Sequence, residues 1–103
     1  MNQPNIELIA FVRAIAVHSQ HPGSRRSRPI SWWKPVLEKL LGTQLKLGEI
    51  RTAMLAAGVR VGSDGESTNL LAKESLRRAS VVMPDLVRED AETGMVERVE
   101  VKS

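Results

Sequence analysis

The chain has 103 residues, enough for one hydrophobic core and too few for two. Hydrophobic residues make up 42% and aromatic ones only 3%, so the core is aliphatic; cysteine is absent, which removes disulfides, thiolate nucleophiles and Cys-based zinc sites and suits a reducing cytoplasm. The net charge of +3 conceals a basic body of +6 up to Val81 and an acidic end of −3 from Val82 onward, an asymmetry that points the body toward a polyanion.

Asn5 reads as the N-cap of a first helix over residues 6–18, with Leu8, Phe11, Val12 and Ile15 on one face. Ile9, Ala10, Ala14, Ala16 and Val17 leave the remainder nearly apolar, so the helix needs cover on more than one side. A homodimer through Leu8, Phe11, Val12 and Ile15 is the expectation. The helix is too short to cross a bilayer, and the opening MNQPNIE lacks the basic start of a signal peptide.

Residues 19–31, rich in Pro, Gly and Ser, read as a mobile linker arm carrying Arg25, Arg26 and Arg28. A second helix is predicted over 32–41, with Trp33, Val36, Leu37, Leu40 and Leu41 forming an amphipathic stripe and Gly42 stopping it. Pro35 is tolerated only in a first turn, which sets the start of that helix. Trp32 falls off the stripe, to cover the first helix or stay partly exposed; a base-stacking role for it lacks a second aromatic to complete a platform.

A third helix over 46–57 turns Leu47, Ile50, Met54 and Ala57 inward, and Gly58 supplies its left-handed end. GSDGES then makes a turn. A fourth helix is capped by Ser67 or Thr68 and runs to Ala79, with Leu71, Ala72, Leu76 and Ala79 buried and Lys73, Arg77 and Arg78 projecting. The last stretch, 80–103, is either a hairpin of 81–88 with 95–101, turned at Gly94, or an acidic disordered tail.

The segment 45–79 carries Glu49, Ile50, Ala53, Met54, Gly58 and Val59 in the pattern E-I-x-x-A-[LM]-x-x-x-G-V, followed by a turn and a polar-faced helix. In this it resembles the helix-turn-helix core of DNA-binding proteins, particularly winged-helix and homeodomain-like versions. The resemblance implies a mainly α, four-helix single domain over 1–103, with a helix-turn-helix core over 32–79 and a C-terminal β-hairpin in the place of a wing. It also implies a recognition helix that presents Ser67, Thr68 and Asn69 to base edges of double-stranded DNA. Lys73, Arg77 and Arg78 then clamp the phosphates, and the Arg25, Arg26 and Arg28 arm follows a neighbouring minor groove. The acidic end is expected to stay away from the DNA.

Catalytic parts are missing from this reading. His18 and His21 have no cysteine or carboxylate near them in sequence, so no metal is expected, and no glycine-rich phosphate loop or cofactor motif is present. The expectation is a small cytoplasmic DNA-binding protein without cofactor, a regulator of transcription or replication of bacterial, phage or plasmid type. The rival reading, from another class, is a protein-interaction module, an adaptor or an inhibitor of a host enzyme, that binds no nucleic acid.

Overall fold

The computed structural model describes residues 5–90 and 92–99; the predicted strand positions 100 and 101 lie outside them. The protein is mainly helical, with four helices and a C-terminal antiparallel hairpin: α1 (Ile6–Ile15), α2 (Ile30–Leu41), α3 (Leu47–Ala56), α4 (Ala72–Val82), β1 (Val87–Glu89) and β2 (Val96–Arg98).

Helix α1 is capped as expected, the Asn5 Oδ1 accepting from the Leu8 N–H at 3.0 Å. Leu8, Phe11, Val12 and Ile15 are all buried, but against α3 and α4 of the same chain. That corrects the expected dimer seam: these four side chains are consumed by the intramolecular core, and the exposed residues of α1, Ile6, Glu7, Ala10 and Arg13, form no comparable apolar stripe.

The helix also ends earlier than predicted, because residues 17–19 turn extended and pair with 69–71. Ser19 N–H donates to Asn69 O at 2.7 Å and Leu71 N–H to Val17 O at 2.8 Å. On the opposite edge of that segment, Asn69 N–H donates to Arg60 O and Gly62 N–H donates to Ser67 O. Residues 67–71 are therefore the middle member of a short, irregular antiparallel ladder, flanked by 17–19 and 60–62.

The arm predicted to be mobile is tied to the same segment. Gly23 N–H donates to Thr68 O, Ala72 N–H donates to Arg26 O, and Ser27 is buried and bridged to Leu71. Pinned at Gly23, Arg26 and Ser27, the backbone that carries the three arginines has little freedom.

Helix α2 begins two residues before the predicted start, so Pro35 falls in its second turn. Pro35 leaves the Ser31 carbonyl without its intrahelical donor, and the first turn is held from outside. The Glu66 carbonyl accepts from Ile30 N–H at 2.9 Å, and the Glu66 carboxylate accepts from Ser31 N–H at 2.8 Å. A carboxylate at a helix N-terminus is doubly suited, as hydrogen-bond acceptor and as partner of the helix dipole. At the other end Gly42 takes φ 68° and donates its N–H to Glu38 O.

One core joins these parts. Trp33, Leu37 and Leu40 of α2 meet Leu8, Phe11, Val12 and Ile15 of α1 and Ile50, Ala53 and Met54 of α3 in a single cluster with Val59, Leu70, Ala79 and Val87. Val81 and Val82, predicted to open the hairpin, instead form the exposed last turn of α4. Pro84 follows the helix's C-cap, Met83, at a position where a residue without an N–H ends a helix readily. The hairpin pairs Val87 with Arg98, Arg88 with Glu97 and Glu89 with Val96, and it packs against both α2 and α4.

Candidate nucleic-acid interface

The residues expected to read bases do not face solvent as a helix N-terminus. Helix α4 starts at Ala72 with Leu71 as its N-cap, and Thr68 and Asn69 are buried in the ladder. Thr68 Oγ1 donates to Arg28 O at 2.6 Å. Asn69 Oδ1 accepts from Arg60 N–H at 2.9 Å while its Nδ2 donates to Ser19 O at 3.1 Å. Ser67 Oγ donates to Asp64 Oδ2 at 2.7 Å. Hydroxyl and amide side chains that mimic caps in sequence here satisfy loop backbone, which corrects their assignment to base recognition.

The acidic turn has its own structural work. Asp64 accepts from Ser67 N–H at 2.9 Å and from Glu66 N–H at 3.0 Å. Those two backbone bonds, with the Ser67 hydroxyl, pull its carboxyl down to about 2. Glu66 is also lowered, by hydrogen bonds from the Ser31 hydroxyl and the Ser31 N–H. Asp64 closes the tip of the 59–71 hairpin, and Glu66 holds the start of α2.

The basic residues fare differently. Arg25, Arg26 and Arg28 from the pinned segment and Lys73 and Arg77 from α4 line one open groove of about 630 Å³. Helix α2 contributes Trp32, Pro35, Val36 and Lys39, which share one face at the three-and-four spacing. Lys73, Leu76 and Arg77 share a face of α4 by the same rule. Glu89, Gly94, Met95 and Val96 of the hairpin complete the wall, so the acidic end of the chain is not clear of the basic surface as expected. Arg78 lies on an adjoining hollow with Arg26, Lys73, Glu74, Arg77 and Val81.

Two of the groove's cations are engaged. Arg26 Nη1 lies 3.0 Å from Glu74, and Arg77 Nε lies 4.0 Å from Glu89. Arg25, Arg28, Lys39 and Lys73 have no ion-pair partner among the described residues. Arg28 donates only to backbone carbonyls, of Arg25 at 3.1 Å and Ser27 at 3.5 Å. Glu89 is the single acid on the groove wall among the described residues.

Trp32 is 36% exposed and stands edge-on to the buried Trp33, with ring centroids 5.1 Å apart and planes at 89°. The Arg28 guanidinium carbon is 6.0 Å from the Trp32 ring centroid, within the range of a cation–π contact. Lys39, Met95 and Val96 escaped the sequence reading. For Lys39 the signal was present, since it sits seven residues after Trp32 and hence on the same helix face; for Met95 and Val96 it was not, because their neighbours come from elements distant in sequence.

A larger hollow of about 1670 Å³ surrounds the start of α3, but its charges are mixed. Glu38 there accepts from Leu45 N–H at 2.9 Å and from Lys34 Nζ at 3.1 Å, contacts that hold its carboxyl below the usual range and close the α2–α3 turn. Among the described residues no group of three or more His, Asp or Glu side chains is placed to hold a metal, and no helix is long and apolar enough to cross a membrane. No family model, curated protein or solved structure matches this chain, and the case for a function rests on the chemistry of the groove itself.

Proposed function

We propose that the protein is a small DNA-binding domain, serving regulation of transcription or replication, that holds the phosphate backbone in the groove between the 25–28 segment and α4. The observation that carries this reading is the convergence of Arg25, Arg26 and Arg28 with Lys73 and Arg77, which are more than forty positions apart in sequence yet line the same hollow. Concentrated cations release condensed counterions when they meet phosphates, and this is the main source of sequence-independent affinity for nucleic acid.

In the segment 45–79 that carries the resemblance, α3 and α4 are separated by the 59–71 hairpin rather than by a short turn. The electrostatics favour the phosphate contacts that the resemblance implies, from the arm and α4, without its base contacts at 67–69. Helix α3 exposes Leu47, Thr52 and Leu55 beside Arg51, and Arg51 Nε is already bonded to Gly65 O at 2.9 Å; the hairpin tip carries Asp64 and Glu66. In this reading phosphates meet the arm and α4, and α3 with the hairpin serves as scaffold.

Fluorescence anisotropy of labelled DNA at two salt concentrations tests the proposal. Binding is expected at low salt, weakening steeply as salt rises. The triple substitution of Arg25, Arg28 and Lys73 to alanine is expected to reduce affinity at least ~10-fold and flatten the salt dependence. No binding at low salt, or an unchanged titration in the triple variant, rejects the reading in favour of the interaction module that binds no nucleic acid.

A further inference from the structure

The groove is not simply a basic surface. Its lining mixes apolar side chains, Trp32, Pro35, Val36, Leu76 and Met95, with the cations. A double helix presents phosphates outward and keeps its bases stacked inside, so docking one on this groove would use the cations and leave the apolar side chains wet. An unpaired strand turns the other way: its bases are free to lie on apolar and aromatic side chains while its phosphates meet the cations.

We infer that the groove takes an unpaired stretch of nucleic acid, with one base stacked on Trp32 and the flanking phosphates on Arg25, Arg28 and Lys73. This rests on the proposed nucleic-acid reading and names the form of the ligand. Three further observations support it. Trp32 is the only exposed aromatic side chain among the described residues, and it lies in the cationic hollow. Its ring packs at 89° to that of the buried Trp33, with centroids 5.1 Å apart. Arg28 places a planar cation over that ring, 6.0 Å from its centroid, of the kind that stacks on bases as well as pairing with phosphate, so a base enters between the two. The second stacking surface that the sequence lacked in aromatic form is thus available as a guanidinium.

The volume of about 630 Å³ suits a short stretch of chain and is within the ~300–1,000 Å³ typical of ligand clefts. Four cations without ion-pair partners among the described residues, Arg25, Arg28, Lys39 and Lys73, imply a slope of roughly −3 for log affinity against log salt on a single strand.

The test uses the full chain with two labelled probes, an oligothymidylate of about 12 nucleotides and a mixed-sequence duplex of the same length. The expected result is tighter binding of the oligothymidylate, with quenching of the exposed Trp32 emission. Trp32→Ala is expected to weaken that probe at least ~10-fold and the duplex by less than ~2-fold, while Trp32→Phe keeps most of the affinity. Quenching in the unmodified protein needs no variant, and matching thermal melts keep a loss in Trp32→Ala from being read as misfolding. A preference for the duplex with Trp32 silent overturns the inference and leaves the DNA reading intact. Failure of both probes at low salt overturns both. Equal quenching by poly-glutamate shows a groove that accepts any acidic chain and also overturns the inference.

Discussion

At the scale of single residues, polar side chains that look like surface features turn out to hold loops together. Asn69 bonds at once to Arg60 N–H and Ser19 O, linking the two edges of the ladder. Asn69→Ala is expected to cost about 1–3 kcal/mol in urea denaturation, because both backbone groups lose their partner where water enters poorly. Asp64, Glu66 and Glu38 have lowered carboxyl pKa values in the folded chain. Each binds a proton less readily when folded than when unfolded, so its contribution is intact above the ordinary carboxylate range near ~4 and is lost as pH falls, for Asp64 down through about 2. The thermal midpoint is expected to drop between pH 5 and pH 2 (values on the order of the unfolded and folded pKa limits), and Asp64→Asn to show a shallower drop, followed by circular dichroism. Sequence patterning placed Asp64 and Glu66 in a turn but could not pair Glu66 with α2, since Ser31 lies thirty-five positions away.

At the scale of elements, the helices were largely legible and their ends were not. Periodicity identifies α1, α2 and α3 because each buries one stripe, and a stripe is a property of local sequence. The fourth helix starts at Ala72 rather than at Ser67 or Thr68 because residues 67–71 gain more hydrogen bonds as the central segment of a ladder than they would as a first helical turn. That competition is settled by residues 17–19 and 60–62, which no window on 67–79 contains. The C-terminal end of α2 is more local. Gly42 has φ 68°, and a Cβ there would run into the Arg98 guanidinium of β2. Gly42→Ala is expected to cost about 1–2 kcal/mol from the left-handed backbone alone. Any further loss recovered in the Gly42→Ala, Arg98→Ala double variant measures the obstruction, read from denaturation midpoints.

At the scale of the whole molecule, the apolar excess of α1 is explained by position. It packs on α3 and α4 together, and Arg13 donates to Ala56 O at 3.0 Å across the α1–α3 contact. Cover on more than one side, which the sequence required, is supplied by the chain itself. Ile15→Ala is therefore expected to lower stability by about 2–5 kcal/mol, with no change in the mass measured by light scattering. A fall in mass without loss of stability would mean that Ile15 holds two chains together after all.

The division of charge along the chain was a sequence fact, with a basic body and an acidic end. Amphipathic stripes, the glycine stop of α2 and a mainly helical domain followed from local physics in the same way, while local physics left the C-terminal stretch open between a hairpin and an acidic tail. The tertiary structure alone decided which basic residues are neighbours and what lies between them. It pinned the 25–28 segment to 67–72, withdrew Thr68 and Asn69 from the surface, and brought the hairpin and Trp32 to the walls of one groove. Helix periodicity follows from the nearest few residues, whereas a groove is formed by segments whose approach depends on backbone hydrogen bonds and core packing across the whole chain.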